Sequence, residues 1–254
     1  SNYFLENILS TLNEPLEGRL VMHLLTNPVE DGGQWDMFVN LIEKYGVVPK
    51  SVMPESYQSS NSYVMNKRLT NKLREFAHKL RTDFKEGKTI ENLRDQKEAM
   101  MEIIYRMITI SLGTPPESFD WEIRDKKKKF HRHTEITPLD FYHKYVNIKL
   151  KDKICLINAP MDDKPYNKLF TVKCLGNVID GQIVKYINLE SEQLKRYAIK
   201  SIQNDEPVWF GSEVVGVHND LGIFDNELYD YNLVFGTDFT MDKHTRLHYG
   251  ESMM

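Results

Sequence analysis

The spacing of apolar residues changes at Pro115-Pro116, and this change constrains the fold more than any other feature of the sequence. Before it, apolar residues recur every three or four positions, as on one face of an amphipathic helix. After it, Phe119, Trp121 and Ile123 alternate with polar residues, as in a half-buried strand. Because helices come first and strands afterwards, the sequence predicts an α+β fold.

Two long helical stripes precede the prolines and together predict a helical hairpin. The first covers residues 65–84 and stops at Gly87, and the second covers residues 93–111 and stops at Gly113. Their methionines follow the apolar stripe, which favours a core role over a cofactor site. The outer face of the first stripe is basic, with Lys67, Arg68, Lys72, Arg74, Lys79 and Arg81.

Residues 27–57 combine a glycine pair with a shorter amphipathic helix. Gly32 and Gly33 lack a Cβ, so the backbone there can adopt a positive φ or lie directly against another backbone. From Trp35 the apolar residues follow helical spacing as far as Gly46, a residue favoured at helix ends. The residues alone indicate a capped helix between two turns, because a glycine doublet is a weak functional signal.

Shorter patterns complete the expected elements. Helical spacing recurs over residues 1–12, 16–26, 139–145 and 190–203. A β-hairpin with a lysine-rich tip is expected between Phe119 and Phe130. Apolar and β-branched runs predict strands, buried in the first two cases, at residues 154–160, 169–175 and 207–214.

Composition excludes several classes of protein. The apolar fraction of 41% supports a sizeable core, and a net charge of −4 indicates no polyanionic partner. The sequence has no apolar run of about eighteen residues, so no transmembrane helix is predicted. Its first residues lack the basic region of a signal peptide. Cys155 and Cys174 lie in apolar runs and are expected to be reduced core residues of an intracellular protein.

Residue chemistry alone assembles no active site. His131 and His133 could form a ligand pair only with further groups from elsewhere, so solvated side chains are favoured and no metal site is expected. The KKKKFHRH run could contact phosphates, but a solvated loop fits an acidic chain better. No phosphate-binding GxxxxGK[ST] loop is present, and no cofactor is predicted. Neither cysteine has the basic, helix-N-terminal setting of a reactive thiolate.

Eight runs, distributed in order over essentially the whole chain, carry a family resemblance: EGRLVMHLLTNPVEDGGQWDMFVNLIEKYGVVPKSVMPES, TPPESFDWEIRDK, ITPLDFYHKYV, KICLINAP, YNKLFTV, VWFG, LYDYNLVFG and RLHYGESMM. In sequence and order they resemble the bleomycin hydrolase family of papain-like cysteine aminopeptidases. The resemblance implies a papain-like fold, incomplete at both ends, with a helical insertion. Residues 1–57 would belong to the helical domain with the cleft wall, 58–115 to the insertion, and 116–254 to the first part of the β-rich domain.

The family's chemistry is nucleophilic acyl transfer by a Cys–His pair oriented by Asn. By resemblance the nucleophile is expected before Ser1, and the His and Asn after Met254, so no catalytic residue is assigned and the chain alone is expected to be inactive. The glycine pair carries over: Gly32 and Gly33 would bind the backbone of a peptide substrate, with Gly33 foremost.

The resemblance also implies a homo-hexamer in the cytoplasm that trims peptides and hydrolyses bleomycin, with no membrane association. A non-catalytic paralogue is the alternative. It would act through oligomerisation or nucleic-acid binding, using the basic face of residues 67–81 and the lysine run.

Overall fold

The computed structural model describes residues 1–29, 32–212, 222–223, 225 and 228–250. The chain divides into two compact units. The first unit comprises residues 1–153 and 172–184, and the second comprises residues 154–171 and those from 185 onward. The division into 1–57, 58–115 and 116–254 that the family resemblance suggests stays a prediction.

Seven helices and a β-hairpin form the described part of the first unit. The helices are α1 (Asn2–Ser10), α2 (Arg19–Thr26), α3 (Trp35–Tyr45), α4 (Tyr57–Ser60), α5 (Tyr63–Lys85), α6 (Ile90–Leu112) and α7 (Pro138–Phe141). The hairpin strands are β1 (Phe119–Arg124) and β2 (Phe130–Ile136). A π-helical turn (Tyr142–Val146) and a 3₁₀ turn (Leu150–Asp152) follow α7.

Helices α5 and α6 form the predicted helical hairpin and build the main core with α1 and α2. Thr89 begins α6, and its hydroxyl accepts a hydrogen bond from the Asn92 backbone N–H. Gly87 and Gly113 follow the two helices with positive φ angles of 92° and 89°. The fully buried centre of this core consists of Leu5, Ile8, Leu73, Ala77, Leu80, Leu93 and Ile104.

These two helices are the longest of the described part, at 23 residues each, and both carry many charged side chains. Within the described ranges, no helix combines the length and the apolar character needed to cross a membrane.

Helix α3 has its own smaller core, where Val39 and Ile42 pack with Tyr142 and Leu150. The helix ends at Gly46, whose φ of +74° disfavours an L side chain. A Cβ at this position would also overlap the backbone of Pro138. The predicted end of this helix is therefore confirmed, and glycine is required there on two grounds.

The predicted β-hairpin is present, with Trp121 opposite His133 and an irregularity between Phe119 and Trp121. Its lysine-rich tip is ordered by Asp125, whose side-chain carboxylate accepts hydrogen bonds from the backbone N–H groups of Lys127 and Lys129.

A small mixed sheet forms the centre of the second unit. Its strands are β3 (Cys155–Ile157), β4 (Lys168–Phe170) and β5 (Tyr186–Asn188). Strand β5 lies in the middle, parallel to β3 and antiparallel to β4. The described helices of this unit are α8 (Ser191–Gln203), α9 (Tyr231–Phe235) and α10 (Lys243–His248).

All three strand predictions are wrong at least in part. The buried strand expected at 154–160 covers only Cys155–Ile157, which are half-buried, and Ile154 is 67% exposed. The strand expected at 169–175 ends at Phe170, and Cys174 has a positive φ of 62°. Its residues Lys168 and Leu169 are exposed rather than buried. Residues 207–212 form no strand, and 213–214 lie outside the described residues. An apolar, β-branched run favours a strand locally, but a strand also needs a neighbour to pair with.

Candidate substrate-binding segment

The glycine pair precedes α3 and is exposed. Gly32 has a φ of +145°, and a Cβ at Gly32 would meet no atom within 4 Å. Its conformation therefore requires glycine although space is available. Gly33 has no positive φ, and a Cβ there would make ordinary contact with the Met37 side chain at 3.7 Å. The fold itself thus tolerates alanine at Gly33, but not readily at Gly32.

The helix that follows the glycine pair is braced by residues from much later in the chain. The buried side chain of Asn40 donates a hydrogen bond to the Gln182 carbonyl (2.8 Å) and accepts one from the Gln182 N–H (2.7 Å). Asn177 donates through Nδ2 to the carbonyl of Met37 (2.8 Å). Asn40 is a buried amide with both of its polar groups paired, so it holds the middle of α3 in place, and Asn177 adds one hydrogen bond nearer to the glycine pair.

An ion pair fixes the C-terminal half of α3. Lys151 Nζ lies 2.7 Å from Glu43 Oε2, and this hydrogen bond holds the pKa of Glu43 below its ordinary value. The hydroxyl of Tyr142 lies 2.6 Å from the Ile148 carbonyl oxygen and 3.2 Å from Glu43 Oε1. Burial raises the pKa of Tyr142, and the neighbouring Glu43 charge adds to the effect. The arrangement stabilises the helix and leaves Tyr142 neutral.

Two arginines of the basic face of α5 have structural partners. Arg81 is buried and donates from Nη1 to the carbonyl of Thr11, the residue that ends α1 (2.8 Å). Arg74 donates to the last carbonyls of α2, at Leu25 (2.9 Å) and Thr26 (2.7 Å). Cations at these positions satisfy helix C-termini and complement their dipoles. The surface suggested for nucleic acid is therefore smaller than its sequence indicates, although nucleic-acid binding itself stays a prediction.

The cysteines and the hairpin histidines each have their own local surroundings. Cys155 lies on β3, and Cys174 packs, partly buried, against the main core of the first unit. His131 Nε2 lies 3.1 Å from Asp125 Oδ2, whereas His133 Nδ1 lies 2.9 Å from the Tyr145 hydroxyl. Each hairpin histidine thus has its own hydrogen-bonding neighbour.

The structure also brings together a second histidine pair, which the sequence pattern did not lead us to predict. His244 and His248 lie on α10 beside Asp162, in the second unit, with one possible ligand atom of each within 4.8 Å of the others. The signal was present as HTRLH, since residues four apart share one face of a helix. The carboxylate comes from 82 residues earlier, which no local pattern reveals.

The chain belongs to the Peptidase C1-like family, whose profile matches residues 1–254. It is 47% identical over 255 residues to aminopeptidase C of Listeria monocytogenes, covering 100% of this chain. It is 45% identical over 259 residues to human bleomycin hydrolase, covering 99% of this chain. Crystalline PepW from Lactobacillus rhamnosis superposes with a TM-score of 0.96 at 47% identity, covering all of this chain and 57% of that one. The chain spans 57% of the length of both curated relatives.

These comparisons confirm the family and the papain-like α+β fold inferred from the sequence. Two aspects of the site remain predictions: the substrate contacts of Gly32 and Gly33, and the positions of the catalytic residues beyond the chain.

Proposed function

We propose that this chain is part of a cysteine aminopeptidase that trims N-terminal residues from peptides and hydrolyses bleomycin. The observation that carries the proposal is the 47% identity to an aminopeptidase C, sustained over the whole chain. The identity to a bleomycin hydrolase supports the second substrate. No cofactor is required, because a thiolate, an imidazole and water suffice for acyl transfer.

In this proposal a cysteine thiolate outside the chain attacks the carbonyl carbon of the first peptide bond. The C–N bond breaks, the amine leaves with a proton from the histidine, and water hydrolyses the thioester. The present chain contributes the wall along which the substrate backbone lies. Gly32 and Gly33 suit that role because neither carries a side chain. The helix that follows them, α3, is held in place by hydrogen bonds that involve Gln182 and Asn177.

The activity test compares two proteins. The 254-residue chain should not cleave an aminoacyl fluorogenic substrate, whereas a protein that also contains the expected cysteine, histidine and asparagine should. Turnover by the shorter protein would contradict the proposed location of the catalytic groups. Lack of turnover by both would favour the non-catalytic paralogue, which acts by assembly or nucleic-acid binding.

Gly33→Ala isolates the substrate role of the glycine pair. The fold accommodates a Cβ there, so the variant should retain its stability. In the longer protein that contains the catalytic groups, KM should rise at least about tenfold, as expected when a methyl group blocks backbone approach. Gly211→Ala is a matched control, because a Cβ at Gly211 also meets nothing within 4 Å and its φ is not positive. Unchanged kinetics in Gly33→Ala would remove Gly33 from the substrate wall.

The proposed enzyme is a cytoplasmic homo-hexamer, as the family resemblance implies. Light scattering on the active protein should give six copies, and cell fractionation should recover it with the cytoplasm. If the active enzyme is monomeric, the proposed hexamer is wrong and activity does not depend on assembly.

A further inference from the structure

We propose that Asp162, His244 and His248 bind a divalent transition-metal ion, with Zn²⁺ as the best match. All three belong to the second unit, and one nitrogen or oxygen of each lies within 4.8 Å of the others. The proposed enzyme chemistry uses none of these residues, so the site is a separate property of the molecule.

The interatomic distances are close to those of a coordinated ion. His244 Nε2 lies 3.2 Å from Asp162 Oδ1, and His248 Nε2 lies 3.7 Å from Asp162 Oδ2. With Zn–N and Zn–O distances of about 2.0–2.2 Å, the ligand atoms of a tetrahedral site lie about 3.3 Å apart. Small side-chain rotations therefore bring two nitrogens and one oxygen around a common centre.

Helix α10 places both imidazoles on one face. The residues are four apart, and their ring centroids lie 4.4 Å from each other with an interplanar angle of 32°. Residues four apart lie one turn apart on the same side of a helix, so both rings can face one ion.

A backbone hydrogen bond sets the tautomer of one ligand. His248 Nδ1 lies 3.1 Å from the carbonyl oxygen of His244. Since a carbonyl can only accept, Nδ1 carries the proton, and the neutral ring then has its lone pair on Nε2. That nitrogen is the one nearest Asp162. In metal-bound histidines, the ring nitrogen that does not bind the metal usually donates a hydrogen bond to a carbonyl, a carboxylate or water.

The turn that carries Asp162 is held on both sides by Asn188, which is fully buried on β5. Asn188 accepts a hydrogen bond from the Ala159 N–H (2.8 Å) and donates to the carbonyls of Ala159 (2.9 Å) and Lys164 (2.6 Å). The carboxylate therefore lies on a fixed turn, as a ligand should.

Helix α10 is tied to the same turn. Lys243, its first residue, donates to both the carbonyl and the side-chain oxygen of Asn158. The two parts of the site are thus positioned by contacts other than those among the ligands themselves.

The donor set selects the class of ion. Two imidazole nitrogens and one carboxylate suit Zn²⁺, Ni²⁺ or Cu²⁺, whereas Mg²⁺ prefers oxygen ligands and water. Three protein ligands leave a coordination position for water or another group. The ion would tie α10 to the turn that carries Asp162.

Titration calorimetry with Zn²⁺ on tag-free protein tests the site. The wild-type protein should bind one Zn²⁺, and His244→Ala, His248→Ala and Asp162→Asn should each weaken binding at least about tenfold. His131→Ala is the control and should leave the affinity unchanged. Asp162→Asn keeps the test valid if a helix variant fails to fold, because it changes only an exposed side chain of the turn.

Histidine ¹⁵N spectra give an independent readout. Zn²⁺ should shift the Nε2 resonances of His244 and His248, and His248 Nδ1 should remain protonated. The proposal is overturned if wild-type protein does not bind Zn²⁺, if the three variants bind as tightly as wild type, or if the shifts fall on other histidines.

Discussion

The two units bury their interiors differently. The first unit encloses a core of leucine and isoleucine side chains from α1, α5 and α6. In the second unit, Ala159 and Leu189 are the buried apolar residues of the described part, and the fully buried side chain is the polar Asn188. The first unit is therefore held mainly by apolar burial, which scales with area, and the second by directional hydrogen bonds around one amide.

The exposed apolar residues reinforce this contrast. Helix α8 has a helical apolar stripe in its sequence, yet none of its residues is buried. Tyr197 and Ile202, two members of this stripe, are exposed. An uncovered apolar stripe of this kind is usually an interaction surface. The described part of the second unit buries fewer apolar side chains than that of the first, so we expect it to be the less stable of the two.

The largest expected effect is in the main core of the first unit. Leu80→Ala should lower the free energy of unfolding by about 2–5 kcal/mol, because it leaves a cavity in a close-packed region. Leu169→Ala in the second unit should change it by less than about 0.5 kcal/mol, since that side chain is 63% exposed. Urea denaturation measures both. Equal losses of unfolding free energy in the two variants would contradict the proposed difference between the two units.

Asn188→Ala should be the most damaging single change in the second unit. It leaves the Ala159 N–H and two carbonyls without their partner, which costs about 1–3 kcal/mol for a buried group. The loss should appear as faster proteolysis of the turn at 159–164, with the first unit intact. Resistance equal to wild type would show that the amide is not the centre of this unit.

Arg81→Met tests the structural role of the basic face of α5. The change keeps most of the buried volume but removes the donor to Thr11, so thermal unfolding should reveal a loss of about 1–2 kcal/mol. Arg74→Met removes more exposed hydrogen bonds and should cost less. The reverse order would mean that Arg81 serves a surface role.

The smallest expected effect is on the stability of the fold at low pH. The hydrogen bond from Lys88 holds the pKa of Asp83 below its ordinary 3.8, so the pair stabilises the fold above that pH and less as pH falls through the folded-state value. Asp83→Asn should lower the melting temperature at pH 7, and the difference from wild type should shrink below pH 3.8. A constant difference across this range would contradict the assignment.

The contrast also explains what the sequence could predict. The helices of the first unit follow from local apolar spacing, so the hairpin of α5 and α6 and the end of α3 at Gly46 were predictable. The strands of the second unit have only three residues each and depend on partners distant in sequence. A run such as 169–175 therefore indicates a longer strand than the fold can pair.

Side-chain roles were less predictable than elements. Arg81 has the sequence signature of a solvated face, but its partner Thr11 lies 70 residues away. The histidines of α10 have helical ligand spacing, and only the fold brings Asp162 beside them. The glycine pair could be proposed only from family resemblance, because the local pattern equally fits a turn.

Native-state hydrogen exchange of the wild-type protein tests the central claim, that apolar burial makes the first unit the stable part of the molecule. Backbone amides of α1, α5 and α6 should exchange only with global unfolding. Those of β3, β5 and α8 should exchange at least about tenfold faster through local opening. Equal protection in both units, or slower exchange in the sheet than in α5 and α6, would contradict the account.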